Sequence, residues 1–323
     1  MNQSNAVVSK PKFSAAISSE GYKKLINNTL GDPERAKRFV ASITSAVAVN
    51  PALQECTPQT ILSGALLGES LNLSPSPQLG QYYLVPFVCK LKGPDGKQLY
   101  VTDANGNKVL DQNGRWIPVT EKRAQFVLGF KGYLQLAIRS GQYSDIDAME
   151  IREGEYLGKD PTTGKPRFQF CDDDDAREQL PVIGYMAYFE YLNGFRKTLY
   201  WSKEKMLSHA DQYSSAFSAE AYKKLQAGEI NDNDLWKYSS FWYKNFDEMA
   251  KKTMLRQLIS KWGIMSIDMQ QGFVQDSQFV QVQDNGSFVT MPEPEIQPEA
   301  PSMANAPQTA PKAAPEQISL NDL

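Results

Sequence analysis

The stretch FDEMAKKTMLRQLISKW, residues 246–262, decides the fold of this chain because it predicts a central amphipathic helix. Acidic residues begin it and Lys261 lies near its end, the charge order that a helix dipole favours. At about 100° per residue, one broad apolar face collects Met254, Leu255, Leu258, Ile259 and Trp262. Lys252 and Arg256 lie together at the edge of that face. Two interpretations fit this basic edge, because it is either solvated or one wall of a groove that binds phosphate groups. Lys251 projects from the apolar arc itself, so its ammonium either extends outward to water or meets an anion.

The length of the chain, 323 residues of which 41% are hydrophobic, allows one large or two modest domains. No run approaches the roughly 18 consecutive apolar residues of a membrane-spanning helix, and residues 1–20 lack the apolar region of a secretory signal. Three widely separated cysteines fit reduced thiols, and with one histidine and no C-x-x-C pair they argue against a zinc site. We therefore expect a cytoplasmic protein with no membrane contact, no metal and no cofactor.

Charge is divided unevenly along the chain. Residues 276–323 carry seven acidic residues and one lysine, a net charge of −6, and the last 32 residues contain seven prolines and six alanines. The remaining 33 basic and 30 acidic residues give +3, which permits nucleic-acid binding without requiring it. We expect a flexible N-terminal segment at 1–32, a core at 33–275, and an acidic, Pro/Ala-rich disordered tail at 276–323 that is available for a partner contact.

Helix signals and strand signals alternate along the predicted core. Capping and breaking residues predict helices at 20–30, 33–48, 57–73, 132–139 and 203–213. Apolar runs predict strands at 81–88, 125–129, 144–151 and 167–170, and a further hairpin turning at 193–194. Three Asx-Gly pairs between Lys92 and Arg115 predict one or two protruding hairpins. The mixture predicts an α+β fold.

Patterns typical of catalysis are weak. The loop GKDPTTGK at 158–165 has one residue too many between its glycines for a phosphate-binding loop, and Pro166 replaces the magnesium-binding Ser or Thr. Carboxylates at 145–155 and 172–175 leave a metal-dependent nuclease as an alternative, although such groups more often face solvent. His209 has no patterned nucleophilic partner and is interpreted as a surface or packed histidine. No residue is assigned a catalytic role, and no enzyme is predicted.

Basic residues interleave with aromatic residues in three places. The first cluster contains Lys122, Arg123, Phe126, Phe130, Lys131, Tyr133, Arg139 and Arg152. The second contains Phe195, Arg196, Lys197, Tyr200, Trp201, Lys203 and Lys205, and the third is the helix region 244–261. Proteins that bind single strands pair a positive groove for the backbone with aromatic rings for the bases. Each cluster alone also fits core aromatics beside solvated charges, but three together favour nucleic-acid binding.

Three blocks of the sequence resemble a known family. They are ILSGALLGESLNLSPSPQLGQYYLVPF at 61–87, FVLGFKGYLQLAIRSGQY at 126–143 with IREGE at 151–155, and WYKNFDEMAKKTMLRQLISKW at 242–262. In order and spacing these blocks are similar to the RecT family of phage single-strand DNA annealing proteins.

This resemblance implies a curved antiparallel sheet with hairpins packed by helices, similar to other single-strand annealing protein cores. It implies ATP-independent binding of single-stranded DNA and annealing of complementary strands, with some strand invasion, in phage recombination. The implied partners are single-stranded DNA, the annealed duplex, further copies of the chain in a ring or filament, a phage 5′→3′ exonuclease and the single-strand-binding protein of the bacterial host, in whose cytoplasm the protein would act. A passive protein that only protects single strands is the alternative function.

We hypothesise that one groove for the DNA backbone is lined by Lys131, Arg139, Arg152, Lys251, Lys252 and Arg256. Further DNA contacts are predicted at Lys122, Arg123, Phe130, Tyr133, Arg196, Lys197, Lys203 and Lys261. Phosphate contacts carry no sequence information, which suits a protein that anneals any complementary pair of strands.

Overall fold

A computed structural model describes residues 13–214, 216–278, 280–283, 287–290 and 296–297. Its helices are α1 (Phe13–Ile17), α2 (Glu20–Leu30), α3 (Pro33–Ala48), α4 (Pro51–Gln54), α5 (Pro58–Ser70), α6 (Phe130–Arg139), α7 (Asp174–Gln179), α8 (Lys203–Tyr213), α9 (Ala219–Gln226), α10 (Phe241–Lys244), α11 (Phe246–Trp262) and α12 (Ile267–Gln275), with a 3₁₀ helix at Asp232–Tyr238. Its strands are β1 (Tyr82–Lys90), β2 (Thr120–Leu128), β3 (Tyr143–Arg152), β4 (Tyr156–Lys159), β5 (Pro166–Phe168), β6 (Val182–Tyr191), β7 (Arg196–Ser202), β8 (Val280–Val282), β9 (Phe288–Thr290) and β10 (Ile296–Gln297). The predicted α+β class is confirmed.

Antiparallel pairing organises the described strands into two three-stranded sheets, in the orders β10-β1-β2 and β3-β6-β7. β1 and β2 pair from Tyr82 opposite Leu128 to Lys90 opposite Thr120, on either side of a long connection. β4 pairs with β5 and β8 with β9 in two smaller ribbons. β6 and β7 form the hairpin predicted at residues 193–194, where Gly194 has a φ of +81°. Glycine suits that turn because a left-handed φ is strained for residues with a Cβ.

Helix α11 packs across β3, β6 and β7, so the stretch that predicts the fold does lie at its centre. Met254, Leu255, Leu258 and Ile259 are fully buried, as the apolar face predicts, whereas Trp262 is 36% exposed. Lys252, expected at the edge of that face, is buried. Lys251 meets anions, because its Nζ lies 2.6 Å from Glu248 and 3.5 Å from Glu150.

Two glycines allow β1 to begin against the start of α6. A Cβ on Gly129 would lie 2.0 Å from the carbonyl oxygen of Gly80, and one on Gly132 would lie 2.0 Å from that of Gln81. The Gly129 N–H donates to the same Gln81 carbonyl at 2.8 Å. The GFKG block is therefore a site of close backbone approach, which explains its glycines physically.

The connection between β1 and β2 contains three tight turns. Each closes its own β-bridge, namely Lys92–Gln98, Thr102–Lys108 and Leu110–Trp116, so there are three hairpin turns rather than the predicted one or two. Gly96, Gly106 and Gly114 have φ values of +74°, +83° and +73°. An aspartate precedes each glycine and accepts backbone N–H groups, as Asp103 Oδ1 does from Asn105 and Asn107. This repeated Asx-turn chemistry builds the whole connection.

Packed structure begins before and continues beyond the predicted core of 33–275. At the N-terminal side, α1 and α2 bury Phe13, Ile17 and Ile26 within the segment predicted to be flexible. At the C-terminal side, the alternating pair Val280 and Val282 is buried although both residues belong to the predicted tail. Both boundaries were missed because a few apolar residues in a polar context anchor each segment. Residues 1–12 and 298–323, including most of the Pro/Ala-rich part, lie outside the described residues.

Helix α5 explains why β8 is needed. Its residues from Thr60 to Gly68 are all buried, so no side of the helix faces solvent over this length. A helix that is apolar on every side requires cover on every side. β2 and β8 both pack on α5, and the Val282 N–H donates to Ser63 Oγ at 3.1 Å. In the described part of the chain, no helix has the length and hydropathy needed to cross a membrane.

Candidate nucleic-acid interface

A groove of about 730 Å³ separates α8 from α11. Helical spacing creates both walls, because residues four apart share a face. The α8 wall presents Lys205, His209 and Tyr213 in successive turns, and Ser202 begins this helix by accepting the Lys205 N–H at 3.3 Å. The α11 wall presents Lys252 and Arg256. The groove therefore joins the second and third basic–aromatic clusters of the sequence.

The two cations of the α11 wall differ in accessibility. The Arg256 side chain is 40% exposed, and its Nη1 donates to Asp276 Oδ2 at 2.8 Å. Lys252 is buried, with its Nζ 3.6 Å from Asp276 Oδ1. Burial lowers the pKa of Lys252 despite the opposing attraction of Asp276. Arg256 is thus the cation that this wall offers to a ligand.

Asp276 lies at the centre of a buried polar node behind this wall. Besides its two cationic neighbours, it accepts the Leu128 N–H at 2.8 Å and the Tyr133 hydroxyl at 2.6 Å. Burial, followed by the Asp276 charge, raises the pKa of Tyr133 well above its ordinary value. Tyr133, which the sequence predicts to contact DNA, is fully buried here, so a base cannot reach its ring. Sequence reasoning missed Asp276 because the predicted tail included it.

Aromatic rings form the opposite wall. The Trp201 and His209 ring centroids are 5.0 Å apart, and those of His209 and Tyr213 are 4.5 Å apart. Tyr213 is 59% exposed, whereas Trp201 is buried at the base of the row. Lys205 Nζ lies 4.5 Å from the Trp201 ring, within cation–π range. His209 is the packed histidine that one interpretation of the sequence allowed, and burial, Lys205 and Arg256 together lower its pKa.

Of the six residues proposed for one backbone groove, this groove contains only Lys252 and Arg256. Arg139 donates to the carbonyls of Leu71 and Asn72 at 2.9 and 3.0 Å, which satisfies the end of α5. Arg152 lies 2.9 Å from Glu150, the carboxylate that also attracts Lys251. Lys131 is exposed in the first turn of α6. Arg139 and Lys251 thus have partners distant in sequence, namely the carbonyls of residues 71 and 72 and the Glu150 carboxylate, whereas Arg152 pairs with a carboxylate two residues away.

Most of the further DNA contacts predicted from the sequence also have intramolecular partners. Lys122 pairs with Glu55 at 2.8 Å, Arg123 pairs with Glu121, and Arg196 pairs with Glu190 at 2.7 Å. Lys197 and Lys261 lie over the Trp262 ring, at 4.5 and 5.9 Å from its centroid. Lys203 begins α8, and Phe130 packs partly buried against the core. None of the eight residues of this prediction, Tyr133 included, lines the groove between α8 and α11.

Comparison with known proteins places the chain in a family. A family model described as the RecT family matches residues 37–289. This chain belongs to the RecT family. The uncharacterized protein YqaK of Bacillus subtilis (strain 168) is 33% identical over 263 residues, covering 81% of this chain and 71% of that protein. Protein RecT of Escherichia coli (strain K12) is 24% identical over 281 residues, covering 85% of this chain and 84% of that protein. The resemblance of the three sequence blocks is confirmed, and membership associates the chain with single-strand annealing in DNA recombination.

Two of the carboxylates at 145–155 and 172–175, which left a nuclease open as an alternative, have structural partners. Buried Glu155 accepts Arg177 Nε at 2.5 Å and the Arg152 N–H at 2.7 Å. Asp173 caps α7 by accepting the Ala176 N–H at 3.0 Å. The 158–165 loop is the β4–β5 turn, in which Asp160 accepts the Thr162 and Thr163 N–H groups. Within the described ranges, no cluster of three His, Cys, Asp or Glu side chains could hold a metal ion.

Proposed function

We propose that this RecT-family chain binds single-stranded DNA in the groove between α8 and α11 and anneals complementary strands without ATP. The observation that supports this most directly is the opposition of a cationic wall and an aromatic wall across one groove. Arg256 and Lys205 provide accessible positive charge, while His209 and Tyr213 provide rings. A positive track for the backbone beside aromatic faces is the combination that binds single strands without sequence preference.

The mechanism follows from which part of the strand the protein holds. Phosphate contacts from arginine and lysine position a strand but carry no sequence information. A second strand can then test pairing with any sequence that is held. Base pairing and stacking supply about 1.4 kcal/mol per step on average, so the pairing itself can drive annealing without nucleotide hydrolysis.

A charge variant on the α8 wall tests the groove without disturbing the buried node. Lys205→Ala removes an exposed cation, and we expect weaker oligonucleotide binding and a salt slope smaller by about 0.7, because single strands release about 0.7 counterion for each phosphate neutralised. Lys224→Ala is the matched control, since this exposed lysine pairs with Glu220 on α9, away from the groove. Equal affinity and slope for Lys205→Ala and wild type would contradict the assignment of the groove.

Annealing is separated from passive protection by a fluorescence assay with complementary labelled strands and no ATP. An annealing protein accelerates pairing, whereas a passive single-strand-binding protein slows it. The same labelled strands incubated with magnesium address the nuclease alternative, because shortening would reveal cleavage. We expect acceleration of pairing with strands of unchanged length.

Self-assembly and partner binding form a second part of the proposal, supported by family membership. We propose a ring or filament of identical chains on single-stranded DNA and on the annealed duplex, acting in the bacterial cytoplasm. We assign contacts with a phage 5′→3′ exonuclease and the host single-strand-binding protein to residues 298–323, because β8 to β10 pair within the fold. Light scattering with and without oligonucleotide tests assembly, and titration of each purified partner into full-length and 1–297 chains tests the tail.

A further inference from the structure

The aromatic row formed by Trp201 in β7 and by His209 and Tyr213 on α8 has a graded accessibility that the backbone-binding role does not use. Trp201 is buried at its base, His209 is half-buried in the middle, and Tyr213 is 59% exposed at its outer end. The interplanar angles are 60° between Trp201 and His209 and 42° between His209 and Tyr213. The spacing of four residues between His209 and Tyr213 places both rings on one face of α8, toward the groove. Tyr213 is thus exposed to a ligand, and the buried Trp201 ring holds His209 in place beside it.

We propose that Tyr213 and His209 stack on unpaired bases of a single strand whose backbone follows the cations of the groove. This inference rests on the proposed function and names the part of the DNA that the α8 wall recognises. Every base has a π face, so stacking on these rings tolerates any sequence. Trp201 acts as a positioning residue, because its ring packs on His209 and carries Lys205 above it.

Other aromatic residues near the groove are less suited to this role. Tyr133 is fully buried and donates its hydroxyl to Asp276. Tyr83 packs at 5.9 Å from Phe241, and burial raises its pKa. Neither residue lines the groove, and Trp242, which does, packs its ring on Phe217 and Phe246. The α8 row is therefore the place where a base can lie beside a phosphate held by Arg256 or Lys205.

The proposed stacking also explains how substrate and product would be distinguished. The bases of a duplex are paired and stacked on one another, so they cannot cover Tyr213 or His209 without leaving the duplex. The annealed product would keep only the phosphate contacts and lose the stacking contacts. The row would then favour unpaired strands, while the phosphate contacts continue to hold the annealed duplex.

An oligonucleotide without bases tests this inference separately from backbone binding. The probes are a thymidine oligonucleotide and a fully abasic oligonucleotide of equal length, which carry equal backbone charge. For wild type we expect tighter binding of the thymidine strand, by about 5- to 150-fold for each stacked base. Tyr213→Ala should reduce this preference by a similar factor while its affinity for the abasic strand is unchanged. Tyr213→Phe keeps the ring and should keep the preference.

Controls separate the possible failures. Trp236→Ala removes a ring that is 46% exposed outside the groove, and it should leave both affinities unchanged. If Tyr213→Ala and His209→Ala are folded and keep the wild-type preference, the stacking role is refuted while backbone binding stands. If Lys205→Ala changes neither affinity, the groove itself is refuted. Because Tyr213 is exposed, its variant also answers the question if His209→Ala unfolds.

Discussion

Asp276→Asn is expected to destabilise this protein strongly, because it removes the negative charge from a buried node. In the wild type the carboxylate is fully buried and faces Lys252 at 3.6 Å and Arg256 at 2.8 Å. Arg256 reaches solvent, but Lys252 does not. The substitution therefore leaves an uncompensated ammonium inside the protein, and breaking a buried pair in this way costs about 3–5 kcal/mol. That loss is large beside a total stability of about 5–15 kcal/mol for a typical protein.

The double variant Asp276→Asn with Lys252→Met identifies the cause of the loss. Methionine fills a volume similar to that of lysine without a charge, and replacement of a buried ion pair by packed, uncharged groups is often neutral. The asparagine oxygen can still accept the Leu128 N–H that Asp276 accepts at 2.8 Å. We therefore expect the second substitution to recover about 2 kcal/mol or more of the free energy of unfolding.

Urea unfolding followed by circular dichroism measures both changes. Asp268→Asn, the same chemical change at an exposed position of α12, is the matched control and should lie within about 0.5 kcal/mol of wild type. Wild-type stability of Asp276→Asn would refute the burial argument. A double variant no more stable than Asp276→Asn would show that Lys252 is not the stranded charge.

Three further predictions concern packing, protonation and chain ends. Gly132→Ala should cost about 1–3 kcal/mol in urea unfolding, because its Cβ would meet a carbonyl oxygen at 2.0 Å, whereas Gly21→Ala on α2 meets no atom within 4 Å and should be tolerated. His209 has a pKa below its ordinary 6.5, so the unfolded chain binds a proton first as pH falls. The free energy of unfolding should therefore decrease as the pH falls from 6.5 to the lowered pKa. Urea unfolding at pH 7.5 and pH 5 measures this loss, and the contribution of His209 to it should be absent in His209→Gln. A chain ending at Gln297 should anneal strands like the full chain, whereas one ending at Gln278 loses buried Val280 and Val282 and should melt at a lower temperature.

Local signals in the sequence predicted most of the secondary structure. The helix at Pro33–Ala48 begins and ends where Asp32, Pro33 and Asn50-Pro51 indicate, and Asp32 caps it by accepting the Glu34 N–H. The helix predicted at 203–213 likewise begins at a capping residue, because Ser202 accepts the Lys205 N–H. Such signals are readable because capping and turn formation depend on residues only a few positions apart. The three blocks 61–87, 126–143 and 242–262 likewise identified the family, which the match over residues 37–289 confirms.

The chain ends and the candidate site were less predictable. α1, α2 and β8 each contribute only a few buried side chains, so composition marked their surroundings as loose. The basic residues were identified by type, but their neighbours were not. Arg139 binds carbonyls of residues 71 and 72, and Lys251 shares Glu150 with Arg152. The carbonyl partners of Arg139 and the Glu150 partner of Lys251 are distant in sequence, and no local pattern indicates them.

What the sequence by itself determined is the α11 helix, its apolar face, the α+β class and the family, because periodicity, caps and motif order are local properties of the chain. What only the tertiary structure decided is which charges remain accessible. It turned Lys252 toward Asp276 and away from water, left Arg256 at the surface, and set His209 and Tyr213 opposite them. The physical reason is that a charge is free or neutralised according to the groups folded beside it, and Asp276 lies 20 residues beyond Arg256 in the chain.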